Sequence, residues 1–207
     1  MLNLLLRFIW LNLWLGPWFT MIFLDKLRRK WKRPKREFVE ALKNAQPGDI
    51  VLIRRNYSPP WGYWSHCGMV LDPEKGEMLH ATNKKGVEKA FFTRFCCFYE
   101  LAVIKPNVSE EQKEQAVRIA GQQIGKSFSL FGRSYRKEES PKKFCCAGLI
   151  WYAYKKGAGI DLGGGIWFVP DDLFVLPGAS IIFWRRLNSH APSRHWHRIV
   201  QFKTYGR

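Results

Sequence analysis

After the basic segment Pro141-Lys142-Lys143 the chain turns abruptly apolar: Phe144-Cys145-Cys146-Ala147-Gly148-Leu149-Ile150-Trp151-Tyr152-Ala153-Tyr154. Leu149, Ile150, Ala153 and Tyr154 recur at helical spacing, and Gly157 is a natural stop. The pattern predicts a buried helix from about Cys145 to Lys156, and a helix of that kind must be covered by other elements. Its cysteines fall in the first turn. There the positive end of the helix dipole and unpaired backbone N–H groups favour thiolate, the form that attacks a carbonyl carbon. Small thiols packed in a core fit the same segment, since free cysteine is among the most buried residue types.

A nucleophile needs a base, and the five histidines are His66, His80, His190, His195 and His197. Ser65–Leu71 and Met78–Thr82 alternate as strands. Asp72-Pro73-Glu74-Lys75-Gly76 between them has turn chemistry, with Pro presetting φ and Gly76 able to take φ > 0. A bulge at Gly76 would pair Asp72 with Gly76 and set His80 opposite Gly68, on the face of His66 and diagonal to it. Diagonal neighbours lie about 7–8 Å apart, within reach of aromatic side chains. A two- or four-residue loop would put the histidines on opposite faces. On the first register His66 is a base for the thiol and His80 its orienter; either histidine, satisfied by backbone groups, also fits an ordinary half-buried position.

Pro47-Gly48-Asp49-Ile50-Val51-Leu52-Ile53, Ser65-His66-Cys67-Gly68-Met69-Val70, Leu79-His80-Ala81-Thr82 and Gly86-Val87-Glu88 follow one another along the chain. Ile124-Gly125-Lys126, Cys146-Ala147-Gly148-Leu149-Ile150, Gly157-Ala158-Gly159-Ile160-Asp161-Leu162 and Val169-Pro170-Asp171-Asp172-Leu173 come next. Over roughly residues 46–177 this order resembles the permuted papain-like cysteine hydrolases of the NlpC superfamily, and the lecithin–retinol acyltransferase-like proteins related to them. The resemblance implies a circularly permuted papain-like fold with Cys146 as nucleophile, His66 as base and His80 as third member. Gly148-Leu149-Ile150 puts Cys146, rather than Cys145, in the nucleophile register. Enzymes of this group usually carry an oxyanion-holding tyrosine soon after the glycine matched by Gly125; here Phe128 stands there, flanked by Ser127 and Ser129. A serine hydroxyl or backbone N–H groups would take that role, or activity would be low. Cys145, Trp61 and Tyr63 are further candidates around the substrate cleft, the last two from the stiff aromatic loop Pro59-Pro60-Trp61-Gly62-Tyr63.

Location is read from the first residues. Phe8 to Leu24 holds seventeen uncharged residues, including Trp10, Trp14 and Trp18. At 1.5 Å per residue that reaches about 25 Å, short of a hydrocarbon core of about 30 Å. Counting from Met1 spans the core if Arg7 snorkels to the interface. A spanning helix and one lying in a single leaflet both fit, since the tryptophans and the Gly16-Pro17 break suit an interfacial or re-entrant helix as well. Lys26, Arg28, Arg29, Lys30, Lys32, Arg33, Lys35 and Arg36 follow with no acid among them, a cluster suited to anionic headgroups. Residues 1–25 are thus expected to anchor, 26–37 to link, and 38–207 to form the catalytic domain, facing the cytoplasm by the positive-inside tendency. The net charge of +17 would also suit nucleic acid, but no stacking motif is interleaved with the basic residues. The cysteines and histidines offer no zinc spacing, so neither metal nor cofactor is expected.

The remaining chain reads as scaffold. Ile50–Ile53, Val87–Phe92 and Tyr99–Ile104 join the two histidine strands in an antiparallel sheet, with an apolar strand from Phe91 to Leu101 carrying Cys96 and Cys97. Ser109-Glu110-Glu111-Gln112 is a capping box opening a helix to about Ile124, and Ser180–Trp184 and Arg198–Phe202 read as late strands. Strands first and helices second give an α+β class. Two functions fit: a membrane-tethered cysteine hydrolase or acyltransferase acting on an acyl-lipid, lipid-linked or peptide-amide substrate, or a non-catalytic membrane- or partner-binding module on the same fold.

Overall fold

Six antiparallel strands form one sheet whose inner strands are buried on both faces. A computed structural model describes residues 34–55, 62–130, 141–163 and 168–186, all within the unit Pro34–Arg207. In chain order the elements are α1 (Arg36–Lys43), β1 (Ile50–Arg54), β2 (His66–Asp72), β3 (Glu77–Thr82), β4 (Gly86–Phe91), α2 (Phe92–Phe95), β5 (Glu100–Lys105) and α3 (Glu110–Gly121). They continue with β6 (Ser127–Phe128), β7 (Lys143–Phe144), α4 (Cys146–Ala158), α5 (Pro170–Phe174) and β8 (Ser180–Arg186). The sheet runs β4-β3-β2-β1-β5-β8, and β6 and β7 form a separate parallel pair. The class is α+β, as expected.

Strand alternation divides the core in two. Ile50, Leu52, Cys67, Met69, Leu79 and Ala81 face α4, which is buried from Ala147 to Tyr154 and is itself covered by α3. Val51, Ile53, Val70 and Met78 face the other way, against Phe38 and Leu42 of α1 and Phe92 and Phe95 of α2. The central strands are apolar on both sides because both sides are covered. The capping box opens α3 as its sequence requires: Ser109 Oγ accepts from Gln112 N–H at 3.2 Å and Gln112 Oε1 from Ser109 N–H at 2.9 Å.

Three details differ from the sequence reading. The bulge lies in β2, not at Gly76: Val70 pairs Met78 while Asp72 pairs Glu77, so Leu71 is the extra residue. The turn therefore has four residues, and the bulge restores the register that a four-residue loop alone would have lost. Phe92–Phe95 form a helix rather than strand, with Cys96 at its end, because Phe92 and Phe95 one turn apart fill the core beside α1. And α1 starts at Arg36, inside the segment expected to be a basic linker, where Arg36 pairs Glu40 at 2.8 Å. The expected anchor, with Trp10, Trp14, Trp18 and the basic residues Lys26 to Arg33, lies outside the described residues, as do Trp61 and the expected strand Arg198–Phe202. Among the described residues no helix is long and apolar enough to cross a membrane.

Candidate active site

The start of α4 prepares a thiol. Cys145 is its N-cap, in extended conformation, and its sulfur accepts from Gly148 N–H at 3.2 Å, the place a Ser or Asp oxygen would take. Leu149 N–H goes to Cys145 O at 3.0 Å. Cys146 is the first helical residue and is partly exposed, whereas Cys145 is buried. The sequence had put both at the helix start; the cap separates their jobs, with Cys145 spent on structure.

Cys146 meets two successive residues of β2 whose side chains leave opposite faces of the sheet. The Cys67 thiol, the His66 ring and the Cys67 backbone N–H all act on its sulfur, each favouring the thiolate. The ladders explain why that N–H is free to do so. Val70 N–H bonds Asp49 O in β1's direction at 2.9 Å, so by alternation His66 and Gly68 also point their N–H groups at β1, and Cys67 points its own toward β3. The β2–β3 ladder ends at Met69–Leu79. Beyond it the Cys67 N–H acts on the sulfur instead. The Cys67 thiol, the His66 ring and this N–H hold the Cys146 thiol well below its usual range, against the opposing effect of burial. Burial raises Cys67 well above that range, with a further push from Cys146, so the two sulfurs divide into acceptor and donor.

The histidines lie together, as the turn argument required. Extending the pairs Met69–Leu79 and Val70–Met78 sets His80 opposite Gly68, and His66 Nε2 lies 2.9 Å from His80 Nδ1. Gly68 is needed because a Cβ there would press on Phe95, Met78 and the Leu79 carbonyl. The Phe95 ring uses the space instead, stacking on His66 at 6.0 Å and standing 5.1 Å from His80. With Nε2 of His66 engaged by His80, Nδ1 is left for Cys146. His80 is 3 % exposed. Burial, and then the charges of His66, Arg94 and Lys85, lower its pKa to about 2, so it is a neutral imidazole.

Residues that the sequence reading did not assign complete the surroundings. The Asp171 carboxylate accepts from Tyr63 N–H and Trp64 N–H, each at 2.7 Å, and so clamps the segment leading into His66. Gly62 permits the approach, since a Cβ there would run into that carboxylate. The motif Val169-Pro170-Asp171 was visible, but its partner, more than a hundred residues away, was not. Tyr63, expected near the cleft, is instead buried, with its hydroxyl donating to Glu100 Oε2 at 2.7 Å. Ser127 and Ser129 spend their N–H groups on Lys142 O (3.2 Å) and Phe144 O (3.1 Å), tying β6 to the strand that feeds α4. Phe128 pairs with Phe144 there and packs on the core.

No protein-family model matches the chain, and no curated protein matches it either. Among solved structures the chain is similar to the crystal structure of the metalloprotein yiiX from Escherichia coli O157:H7, DUF1105, at 17 % identity and a TM-score of 0.56. The match covers 69 % of this chain and 98 % of that one. At this identity the likeness is one of fold.

Proposed function

We propose that this protein is a cysteine hydrolase or acyltransferase on a permuted papain-like fold, with Cys146 as nucleophile, His66 as base and His80 as orienter. One observation carries the reading: His66, which favours the thiolate of Cys146, has Nε2 2.9 Å from the ring of a second, neutral histidine. That is nucleophile, base and orienter in contact. His66 Nδ1 takes the thiol proton; the thiolate attacks the carbonyl carbon of an amide, ester or thioester, and the carbonyl electrons move to oxygen. The N–H groups of Cys146 and Ala147, at a helix start where Gly148 and Leu149 are already committed, are the donors this reading offers the oxyanion in place of a tyrosine hydroxyl. His66 then returns the proton to the leaving group, and the acyl-enzyme passes its acyl group to water or another acceptor.

The apolar N-terminus and its basic cluster support a membrane-tethered enzyme with a cytoplasmic catalytic domain and an acyl-lipid, lipid-linked or peptide-amide substrate. The solved neighbour's title calls it a metalloprotein. Among the described residues here no group of three or more His, Cys, Asp and Glu is placed to hold a metal ion.

The test is intact-mass analysis of the full chain in detergent after exposure to acyl amides, esters and thioesters. An acyl adduct mapped to Cys146, followed by turnover and absent from Cys146→Ala, is the expected result. No adduct with any class would favour a binding module, the reading that Phe128 in the tyrosine position supports.

A further inference from the structure

His80 Nε2 is buried and makes no hydrogen bond. Directly across the β3–β4 ladder from His80 stands Glu88, whose Oε1 is 3.5 Å from that nitrogen. The same carboxylate receives Arg94 from α2 at 2.9 Å, Lys85 from the β3–β4 turn at 3.3 Å and the Thr82 hydroxyl at 3.3 Å. Its side chain is 13 % exposed, which limits competition from water.

Resting on the cysteine-nucleophile reading, we propose that Glu88 is a positioning residue of the same site, fixing which nitrogen of His80 carries its proton. A neutral imidazole has one N–H. With the proton of His80 on Nε2, facing the carboxylate, Nδ1 is an acceptor and His66 must donate to it from Nε2. His66 Nδ1 is then the lone-pair nitrogen that a thiol can protonate. The other tautomer of His80 would place the His66 proton on Nδ1, against Cys146, and block the transfer. After transfer His66 carries protons on both nitrogens, still donating from Nε2 to His80, so the same Glu88 contact favours the thiolate–imidazolium pair. No proton passes through Glu88.

The charged groups around this chain of contacts set the signs. Glu88 faces His80, Lys85 and Arg94; His80 faces His66 and the Phe95 ring; His66 faces Cys146, which also meets Cys67. Removing the carboxylate's charge destabilises the imidazolium, whereas removing a cation beside it does the reverse. A Glu88 that merely anchored Arg94 and α2 would behave differently, because deleting either partner would then have the same consequence.

The experiment is the rate of Cys146 alkylation by iodoacetamide against pH in the full chain, read by peptide fragmentation that separates it from Cys145, for wild type, Glu88→Gln and Arg94→Gln. The near-isosteric Glu88→Gln should move the alkylation midpoint up by about half a unit or more and lower kcat/KM about 10-fold, the size common for a group acting through a ligating side chain. Arg94→Gln should move the midpoint down. Glu88→Asp, which keeps the charge, should recover part of the shift. Two variants that lower thermal stability alike and leave the midpoint in place would overturn the relay while leaving Cys146 as nucleophile. A wild-type Cys146 that alkylates no more readily than Cys97 would remove the nucleophile reading and this inference with it. Should Glu88→Gln fail to fold, a midpoint unmoved or raised in Arg94→Gln is sufficient refutation.

Discussion

Among the described residues two of the polar clusters differ in how completely their atoms are used. At the start of β1, Lys113 Nζ donates to Asp49 Oδ1 at 2.9 Å and Gln46 Oε1 at 3.2 Å, while Asp49 Oδ2 accepts from Gln46 N–H at 2.9 Å. Both side chains are 1 % exposed and their charges cancel. At the far end of β2, buried His80 and the half-buried His66 and Cys146 form a group in which one imidazole nitrogen makes no hydrogen bond and one thiol is shifted toward thiolate. The first cluster holds the β1 entry to α3, with Glu110 Oε1 a further 3.5 Å from Lys113 Nζ. The second keeps unspent valence where a reaction needs it. Full satisfaction marks architecture, and controlled incompleteness marks a candidate for chemistry.

The comparison breaks most sharply at the nucleophile. Cys146→Ala should remove turnover by at least about three orders of magnitude while leaving the melting temperature nearly unchanged. Cys145→Ser should be mild, since serine caps a helix at least as well as the thiol does. Equal losses in the two single mutants would transfer the assignment away from Cys146. The converse holds for Lys113→Ala, which leaves Asp49 buried and unpaired. We expect a loss of about 3–5 kcal/mol in denaturant unfolding, with the pH profile of whatever remains folded unmoved. A changed profile would mean that the two clusters are coupled.

His80 gives an intermediate effect with a definite sign. Its pKa is about 2 in the fold against a usual value of 6.5. Below pH 6.5 the unfolded chain therefore binds a proton that the folded one refuses, and stability falls as the pH drops toward 2; above 6.5 both forms are neutral and the group contributes nothing. The slope approaches about 1.4 kcal/mol per pH unit at most. His80→Gln should flatten the urea-midpoint profile between pH 6.5 and 4 by about one proton's worth, and reduce turnover about 10- to 100-fold through loss of His66 orientation. Gly62→Ala is the smallest change. Its Cβ meets the Asp171 carboxylate, so we expect a loss of about 1–3 kcal/mol and a few-fold drop in kcat, with a smaller added cost when Gly62→Ala is made in an Asp171→Ala background.

Much of this arrangement was readable from local pattern. The apolar run after Lys143, the capping box at Ser109 and the period-2 alternation of Ser65–Leu71 and Met78–Thr82 each reflect forces that act within one element. The shared face of His66 and His80 also followed from the turn, although the residue that sets the register is Leu71 rather than Gly76. A bulge can stand on either strand of a hairpin with the same net shift, and turn chemistry does not say which. What stayed hidden depends on partners far away in sequence. Glu88 matters because β3 pairs with β4 in one register. Asp171 matters because α5 packs near the segment before β2, and Cys67 because its ladder to β3 ends early. Phe92–Phe95 looked like strand because aromatic residues favour sheets, and packing against α1 decided for a helix instead.

The central claim is that Cys146 is an activated thiol held by His66, and its alkylation rate against pH tests this directly. In the full chain, each cysteine being located by fragmentation of its peptide, Cys146 should react with iodoacetamide well below the pH at which an ordinary thiol does. Cys96, raised to about 12 by burial, should stay unreactive. His66→Ala should return Cys146 toward ordinary thiol behaviour. A Cys146 that follows the profile of Cys97, or one indifferent to the loss of His66, would contradict the account.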